Sequence, residues 1–580
     1  MQSRYDLAII GSGGAAFAAA IRATTLGKSV VMIERGTFGG TCVNTGCVPS
    51  KALIAAAEAR QTAAEAGNRF PGIATTADDV DMPALISSKQ DLVEELRGEK
   101  YVDVADAYGW HIRHGDAAFA GTPEAPVLEV TATDGAVETI DADHYLVATG
   151  ASAWAPPIDG LEEAGYLTST TAMELTKVPD SLLVLGGGYV ALEQAQLFAR
   201  LGSKVTLLVR SRLASKEEPE VSKALQEVFA DEGIRVVRRA VPTHVARDDV
   251  RGQVVVTADI SGGEQEFHAE QVLVALGRRP VTDGLNLDAV EVKTGDTGEI
   301  VVTDQLQSSN PRIWAAGDVT GHPEFVYVAA HHGTLVAENA FADAERSVDY
   351  ARLPRVTFTG PAIGAVGMTE AQVLAAGIRC DCRVLPLDYV PRALVNRDTR
   401  GFIKIVANAE TGEILGLTAV AELPAIPEFG EEGFELSWYY SVDNPVAQKT
   451  NAARKQALEA AGFTVKDQGV PRAEIRELIQ ASDAETNMMM GPAGWCYDWP
   501  QGDAVYPAIF LGSAQTSGHS VGFLKEEKLD KEMNRIKALP AEEQGPEWTK
   551  FDKMLRDEYL PAIPTDEGKA TAIFGTKVHN

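Results

Sequence analysis

The feature that most restricts this chain occurs twice: a short apolar run, a glycine-rich turn, then a helical stretch. Leu7-Ala-Ile-Ile10 leads into Gly11-Ser-Gly13-Gly-Ala-Ala16, and Ser181-Leu-Leu-Val-Leu185 leads into Gly186-Gly-Gly188-Tyr-Val-Ala191. Apolar runs this short fit strands buried in a parallel sheet, so each unit reads as strand, tight turn and helix. Gly11 and Gly186 permit the turn, Gly13 and Gly188 let a pyrophosphate approach the backbone, and Ala16 and Ala191 let the helix pack close to the strand. The helix N-terminus then faces the phosphates. One such pattern is weak evidence, but Val30-Val-Met-Ile-Glu34 supplies the next strand with an acid placed for a ribose hydroxyl. Two dinucleotides are implied. In the later unit, Lys204–Val209 ends in Arg210, with Arg212 nearby; arginines there favour a 2′-phosphate, hence NADPH over NADH, against the plainer reading of two solvated surface arginines.

At 580 residues the chain exceeds what one hydrophobic core organises, so several domains are expected. Its net charge of -30 argues against nucleic acid or an anionic membrane surface as partner. No apolar run reaches membrane-spanning length, and Met1 to Gly11 enters a buried strand without a signal peptide, so a cytoplasmic location is expected. Five cysteines cannot form a disulfide framework in so long a chain, which leaves Cys42 and Cys47 as a redox-active or metal-binding pair.

That pair lies in Gly39-Gly40-Thr41-Cys42-Val-Asn-Thr-Gly-Cys47-Val-Pro-Ser-Lys51. The spacing lets the thiols bridge across a helix start, where the dipole lowers a thiol pKa and raises its thiolate fraction. A structural staple is the alternative, or a zinc site, although zinc would want further Cys or His ligands nearby.

The run Gly39 to Lys51 resembles the active-site signature of the class I flavin disulfide reductases. The resemblance implies two Rossmann-like domains in an α/β fold, binding FAD and NADPH, plus an α+β interface domain. It implies that Cys47 sits against the flavin as the charge-transfer thiolate while Cys42 meets substrate, and that Lys51 lies near the flavin and pairs with Glu193. Tyr189 would cover the nicotinamide pocket until NADPH displaces it. Gly40 and Thr41 fall within the flavin-binding part of the signature, and further matches are Ala148-Thr149-Gly150, Ala275-Leu-Gly277-Arg-Arg-Pro280 and Ile313-Trp-Ala-Ala-Gly317-Asp318, with Asp318 accepting hydrogen bonds from the ribityl chain. The domains expected are 1–152 and 283–350 for FAD, 153–282 for NADPH, and 351–421 for a truncated dimerisation domain.

Within that family, Gly317 to Ala330 and Val390 to Lys404 resemble the mercuric reductase branch, and Arg210 with Arg212 weighs against the lipoamide enzymes. Hg(II) is a soft ion and paired thiolates, here Cys42 and Cys47, are soft ligands, so reduction of Hg(II) to Hg(0) is the expected reaction. A low-molecular-weight disulfide or a quinone is the alternative acceptor. The sequence departs from the pattern in two ways: the interface domain starts near Leu353 and breaks off after Ala421, and Thr576 to Asn580 offers no terminal cysteine pair. The family homodimer is therefore expected with a truncated interface. Cys380-Asp-Cys382 could replace the missing relay, since alternation puts both thiols on one face of an edge strand, but two ordinary thiols is the plainer reading.

After a linker at 422–432 the character changes. Phe434 to Tyr440 alternates like a strand, Val446 to Ala461 has helical spacing, and Gly462 to Val465 follows, a β-α-β-like unit. With Gly494-Trp495-Cys496-Tyr-Asp-Trp499-Pro500 and Ala541 to Trp548, residues 433–580 resemble a C-terminal fragment of the family 5 solute-binding proteins. Trp495 and Trp499 could line a peptide pocket or fill a core, and Cys496 reads as structural. The alternatives of another class are a peptide-binding module and an inert fusion.

Overall fold

The computed structural model describes residues 4–342, 344–422, 435–443 and 464–471, the helix Glu527–Lys537, and scattered positions between 448 and 554. The chain divides into two compact units at Pro424/Ala425.

In the first unit, strand Arg4–Ile10 pairs in parallel with Val30–Glu34 on one side and Val137–Val147 on the other, and His111–His114 and Ile313–Ala315 extend the parallel sheet. Leu7, Ala8 and Ile9 are fully buried, which is why this strand is apolar without alternation. Gly11 follows at φ +108°, and a Cβ there would stand 2.4 Å from the Ala148 carbonyl oxygen, so no side chain fits the turn. Helix Gly14–Thr25 buries Ala15, Ala16, Ala19, Ala20 and Ala23. Its partner is helix Val326–Phe341, which approaches so closely that a Cβ on Gly333 would lie 2.1 Å from the Ala15 carbonyl oxygen. The alanine content of the first helix is thus a packing requirement.

A second parallel sheet runs Arg235–Arg238, Lys204–Val209, Ser181–Leu185, Gln271–Val274. It packs on the antiparallel strands Ala240–Asp248, Gln253–Ile260 and Glu264–Ala269 through Leu183, Leu185, Val254 and Val256. A third, antiparallel sheet of five strands covers Arg355–Thr357, Ala362–Gly367, Ile414–Ala421, Phe402–Asn408 and Cys380–Pro386, in that order, so Cys380–Pro386 is an edge.

These lobes share interior. Leu53 and Ala57 of helix Cys47–Arg69, Leu192 and Phe198 of helix Tyr189–Leu201, and Ile363, Phe402 and Val420 of the third sheet lie in one apolar cluster. Beside it, buried Arg200 donates to Glu232 at 2.7 and 3.0 Å and to the Gly360 carbonyl at 2.9 Å, and pairs with Glu58. Removing Arg200 or Glu232, both buried, costs about 3–5 kcal/mol, because it strands the other without solvent.

In the second unit, strands Glu435–Ser441 and Thr464–Val470 pair in parallel, Glu435 opposite Thr464 and Ser441 opposite Val470. Parallel pairing needs a crossover, and positions 448, 449, 451, 452 and 455 between them are helical. Helix Glu527–Lys537 buries Met533 and Ile536. Trp495, Cys496, Trp499 and the linker from residue 423 onward lie outside the described residues. No helix among the described residues is long and apolar enough to cross a membrane.

Candidate active site

Cys47 is the first residue of the 23-residue helix Cys47–Arg69, and Cys42 sits in the preceding short helix Gly40–Asn44. Both are free thiols. Their environments push them apart. The Cys47 thiol is lowered to about 6, first by the hydrogen bond from Cys42 and then, against burial, by the Lys51 ammonium; the Cys42 thiol is driven far above its ordinary value by the same hydrogen bond and by burial. Cys47 is therefore the thiolate at neutral pH and Cys42 the proton donor to it, as the helix N-terminus favours. Tyr101 packs beneath Gly39, and burial followed by the two sulfurs raises its phenol to about 12.

Lys51, one turn along the helix, meets Glu193 from helix Tyr189–Leu201: Nζ donates to Oε2 at 2.6 Å. Glu193 is 8% exposed, and its second oxygen accepts the Phe358 backbone N–H at 2.9 Å. The Phe358 ring lies 4.5 Å from Lys51 Nζ. Both carboxylate oxygens are thus committed, which fixes the ammonium close to the sulfurs. Tyr189 donates from its hydroxyl to Glu217 at 3.0 Å, and Arg355 holds Glu217 with two hydrogen bonds of 3.0 Å. Burial and the Glu217 charge raise the Tyr189 phenol to about 12, so it is a neutral, tethered ring.

The first glycine turn fits a dinucleotide. Glu34 accepts the Ser12 hydroxyl at 2.6 Å and the Gly36 N–H at 2.7 Å, and Ser12 accepts the Gly39 N–H at 3.0 Å, tying the turn to the cysteine segment. Gly13 and Gly40 touch: a Cβ on Gly40 would sit 2.4 Å from the Gly13 Cα, so this wall is backbone only. Thr41 follows, exposed, and Ala16 is buried in the helix behind. Thr149 donates to the Val281 carbonyl at 2.6 Å, and Gly150 accepts the Val281 N–H. Asp318 stands in the turn Gly317–Thr320, its carboxyl raised by burial and held down in part by Arg278.

At the second turn, Gly186 has φ +133°, and a Cβ there would meet the Ala275 carbonyl oxygen at 2.4 Å, whereas a Cβ on Gly188 would have no atom within 4 Å, leaving the helix start open. Ala191 is fully buried, and Gly277 has φ +145°. Arg210 and Arg212 line a surface cavity of about 570 Å³ together with Ser211, Ser215, Arg238 and Arg239. Arg212 donates to the carbonyls of Ser215 and Glu217, and its Nη1 is buried with no hydrogen-bond partner. Four guanidinium groups and an unsatisfied donor suit a phosphate. Arg238 and Arg239 were not among the residues expected from sequence. They arrive because Arg238 is in register with Val209 of the neighbouring strand, a pairing that no local pattern encodes. Glu217, Arg355, Phe358 and Tyr101 reach the site through packing between segments distant in sequence, which no local pattern encodes either.

Comparison with known proteins places this geometry. The model of the pyridine nucleotide-disulphide oxidoreductases matches residues 5–333, and that of their dimerisation domain matches residues 353–426. Mercuric reductase of Streptomyces lividans is 60% identical over 418 residues, 72% of this chain and 87% of that protein. Mercuric reductase of Bacillus cereus is 47% identical over 420 residues, 72% of this chain and 64% of that protein. Among solved structures, LpdA of Mycobacterium tuberculosis superposes with a TM-score of 0.64 at 27% identity, over 72% of this chain and 90% of its own. The HOCl-induced flavoprotein disulfide reductase RclA of Escherichia coli does so with a TM-score of 0.65 at 26% identity, over 83% and 97%. The chain belongs to the pyridine nucleotide-disulphide oxidoreductase family and is an oxidoreductase working with FAD and NADPH.

Proposed function

We propose that the protein reduces Hg(II) to Hg(0) with NADPH as electron donor. One arrangement carries the reading: two thiols at a helix start, one a thiolate beside a fixed ammonium, in a chain 60% identical to a mercuric reductase over most of that protein's length. Bound FAD supplies the relay between NADPH and the sulfurs. The protein's own residues do the rest. Cys42 and Cys47 take the soft ion as two thiolates, Cys42 giving up its proton on binding. Lys51, clamped by Glu193, stabilises the sulfur charge while the thiolates wait. The tether to Glu217 and Arg355 holds Tyr189 at the start of the second dinucleotide helix, where it shields the pocket until the nicotinamide displaces it. Arg210 and Arg212 bind the 2′-phosphate, with Glu34 on the ribose of the first dinucleotide and Gly11, Gly13, Gly186 and Gly188 on the pyrophosphates. The overall change consumes one Hg(II) and one NADPH and gives Hg(0), NADP⁺ and one proton.

The working domains in this reading are 1–152 and 283–350 for FAD, 153–282 for NADPH and 351–421 for subunit pairing, with a homodimer as the assembly and the cytoplasm as the location. Residues 433–580 are read as a fragment akin to family 5 solute-binding proteins; saturable peptide binding measured by calorimetry would support that kinship. The test of the activity is NADPH oxidation in thiol-containing buffer with mercury vapour collected. Oxidation that requires Hg(II), with one Hg(0) released per NADPH, is expected. Turnover with a small disulfide or a quinone and none with Hg(II) would overturn the reading.

A further inference from the structure

Apart from the active-site pair, the described residues contain one group of three or more metal-ligating side chains: Glu370, Cys380 and Cys382, whose ligand atoms all lie within 4.8 Å of one another. Three elements assemble it. Cys380–Pro386 is the edge strand of the third sheet, so residues 380 and 382 project to the same face, and their sulfurs stand 2.9 Å apart. In register across from them, Asn408 and Val406 belong to the strand whose next inward residue is Lys404. Glu370 begins the short helix Glu370–Ala375 that covers this face, anchored by a capping box at Thr369.

The charge around the cluster is set by one buried cation among carboxylates. Lys404, with a side chain 1% exposed, donates to Glu370 at 2.8 Å, Glu220 at 2.9 Å and Glu218 at 3.0 Å. Three carboxylates share this ammonium, and the Arg212 charge acts on Glu220 as well. Cys380 and Cys382 are half-buried on a strand that no further strand covers among the described residues. Cys380 and Cys382 are free thiols, and a thiol gives up its proton when it ligates a metal.

We propose that Cys380, Cys382 and Glu370 form a second site for a soft, thiophilic cation, with Hg(II) as its ligand, separate from Cys42 and Cys47. Two S–H bonds break and two S–Hg bonds form; two protons leave and one dication enters, with no change of oxidation state. The charge of the pocket is therefore the same before and after, and occupancy of this half-buried place carries no new electrostatic penalty. Softness then decides the occupant. A hard dication would find one carboxylate already shared with Lys404, and zinc would find three of the four ligands that its tetrahedral sites require. Two sulfurs with an oxygen to one side suit an ion content with two strong ligands. The site stands on this geometry and not on the catalytic reading.

The test uses the full chain with Cys42→Ser, Cys47→Ser and Cys496→Ser, so that turnover and other thiols cannot contribute. Mercuric chloride is titrated in the presence of excess glutathione, followed by sulfur-to-mercury absorbance and by metal analysis after desalting. One Hg(II) retained per chain is expected, with Cys380→Ser or Cys382→Ser weakening retention on the order of 100-fold, because a single sulfur loses the chelate advantage. Glu370→Gln should weaken it about tenfold. Cys382→Val, which keeps the volume under Glu370, guards against a folding artefact and should behave like Cys382→Ser, with bound flavin intact in each variant. No retention against glutathione, or retention indifferent to residues 380 and 382, would overturn the proposal.

Discussion

Four residues intervene between Cys42 and Cys47 and one between Cys380 and Cys382, yet what separates the pairs chemically is what surrounds them. The first pair opens a 23-residue helix beside an ammonium held by a buried glutamate, and the hydrogen bond from Cys42, aided by that ammonium, brings Cys47 to about 6. The second lies flat on an edge strand beside Glu370, where burial, then the hydrogen bond with Cys380 and the Glu370 charge, push Cys382 up to about 12. Proximity makes two thiols a ligand pair; a helix dipole and an ammonium fixed beside the sulfurs help make one of them a reagent. The same molecule therefore contains a pair built to react and a pair built, on our reading, only to hold.

The largest effect that could break this contrast comes from deleting the reactive sulfur. Cys47→Ser should lower Hg(II)-dependent NADPH oxidation on the order of 10³-fold or more, whereas Cys382→Ser should leave the maximal rate within about twofold. Equal losses in the two variants would erase the distinction. Alkylation offers a subtler comparison. At pH 7 Cys47 is mostly thiolate and Cys382 almost wholly thiol; the greater intrinsic nucleophilicity of the more basic sulfur recovers part of the gap, leaving Cys47 on the order of 100-fold faster with iodoacetamide. Peptide mass spectrometry of reduced protein over time reads this, and similar rates would mean that the helix start does not activate Cys47.

Electron entry can be separated from both pairs. Arg210→Ala with Arg212→Ala should raise the KM for NADPH about 30-fold, leave that for NADH nearly unchanged and leave both alkylation rates alone. An equal rise for both nucleotides would remove the arginine cavity from phosphate recognition. The smallest effect concerns Lys51. Because the Cys47 pKa is depressed, the thiolate is present above about pH 6 and lost as pH falls through it. Lys51→Met removes a charge that lowers this value, so the midpoint should move upward by about one pH unit. A downward movement would contradict the role assigned to the ammonium.

Much of this was legible in the sequence, and for identifiable reasons. Gly11 and Gly186 were readable because a left-handed turn pressed on a carbonyl admits no other residue, and Glu34 because it ends the neighbouring strand. The helical start at Cys47 followed from local spacing. The meeting of Lys51 with Glu193 did not, since 142 residues intervene; only resemblance to a family suggested it. Arg238, Glu217, Arg355 and Phe358 depended on strand register and on how the third sheet docks, which local periodicity does not specify. For Cys380 and Cys382, alternation gave the shared face and the edge, but not Glu370 or Lys404, and so the pair looked ordinary.

The most direct test of the central claim, that Cys47 is the resident thiolate and Cys42 is not, is a pH titration of single-cysteine variants followed in the long-wavelength region beyond the flavin envelope. With flavin oxidised and no reductant added, Cys42→Ser should show a thiolate-to-flavin absorbance at high pH that disappears as pH falls, at a midpoint above that of the intact pair because the Cys42 hydrogen bond is gone, and Cys47→Ser should show none at any pH. Absorbance in Cys47→Ser but not in Cys42→Ser would reverse the roles of the two sulfurs and contradict the account.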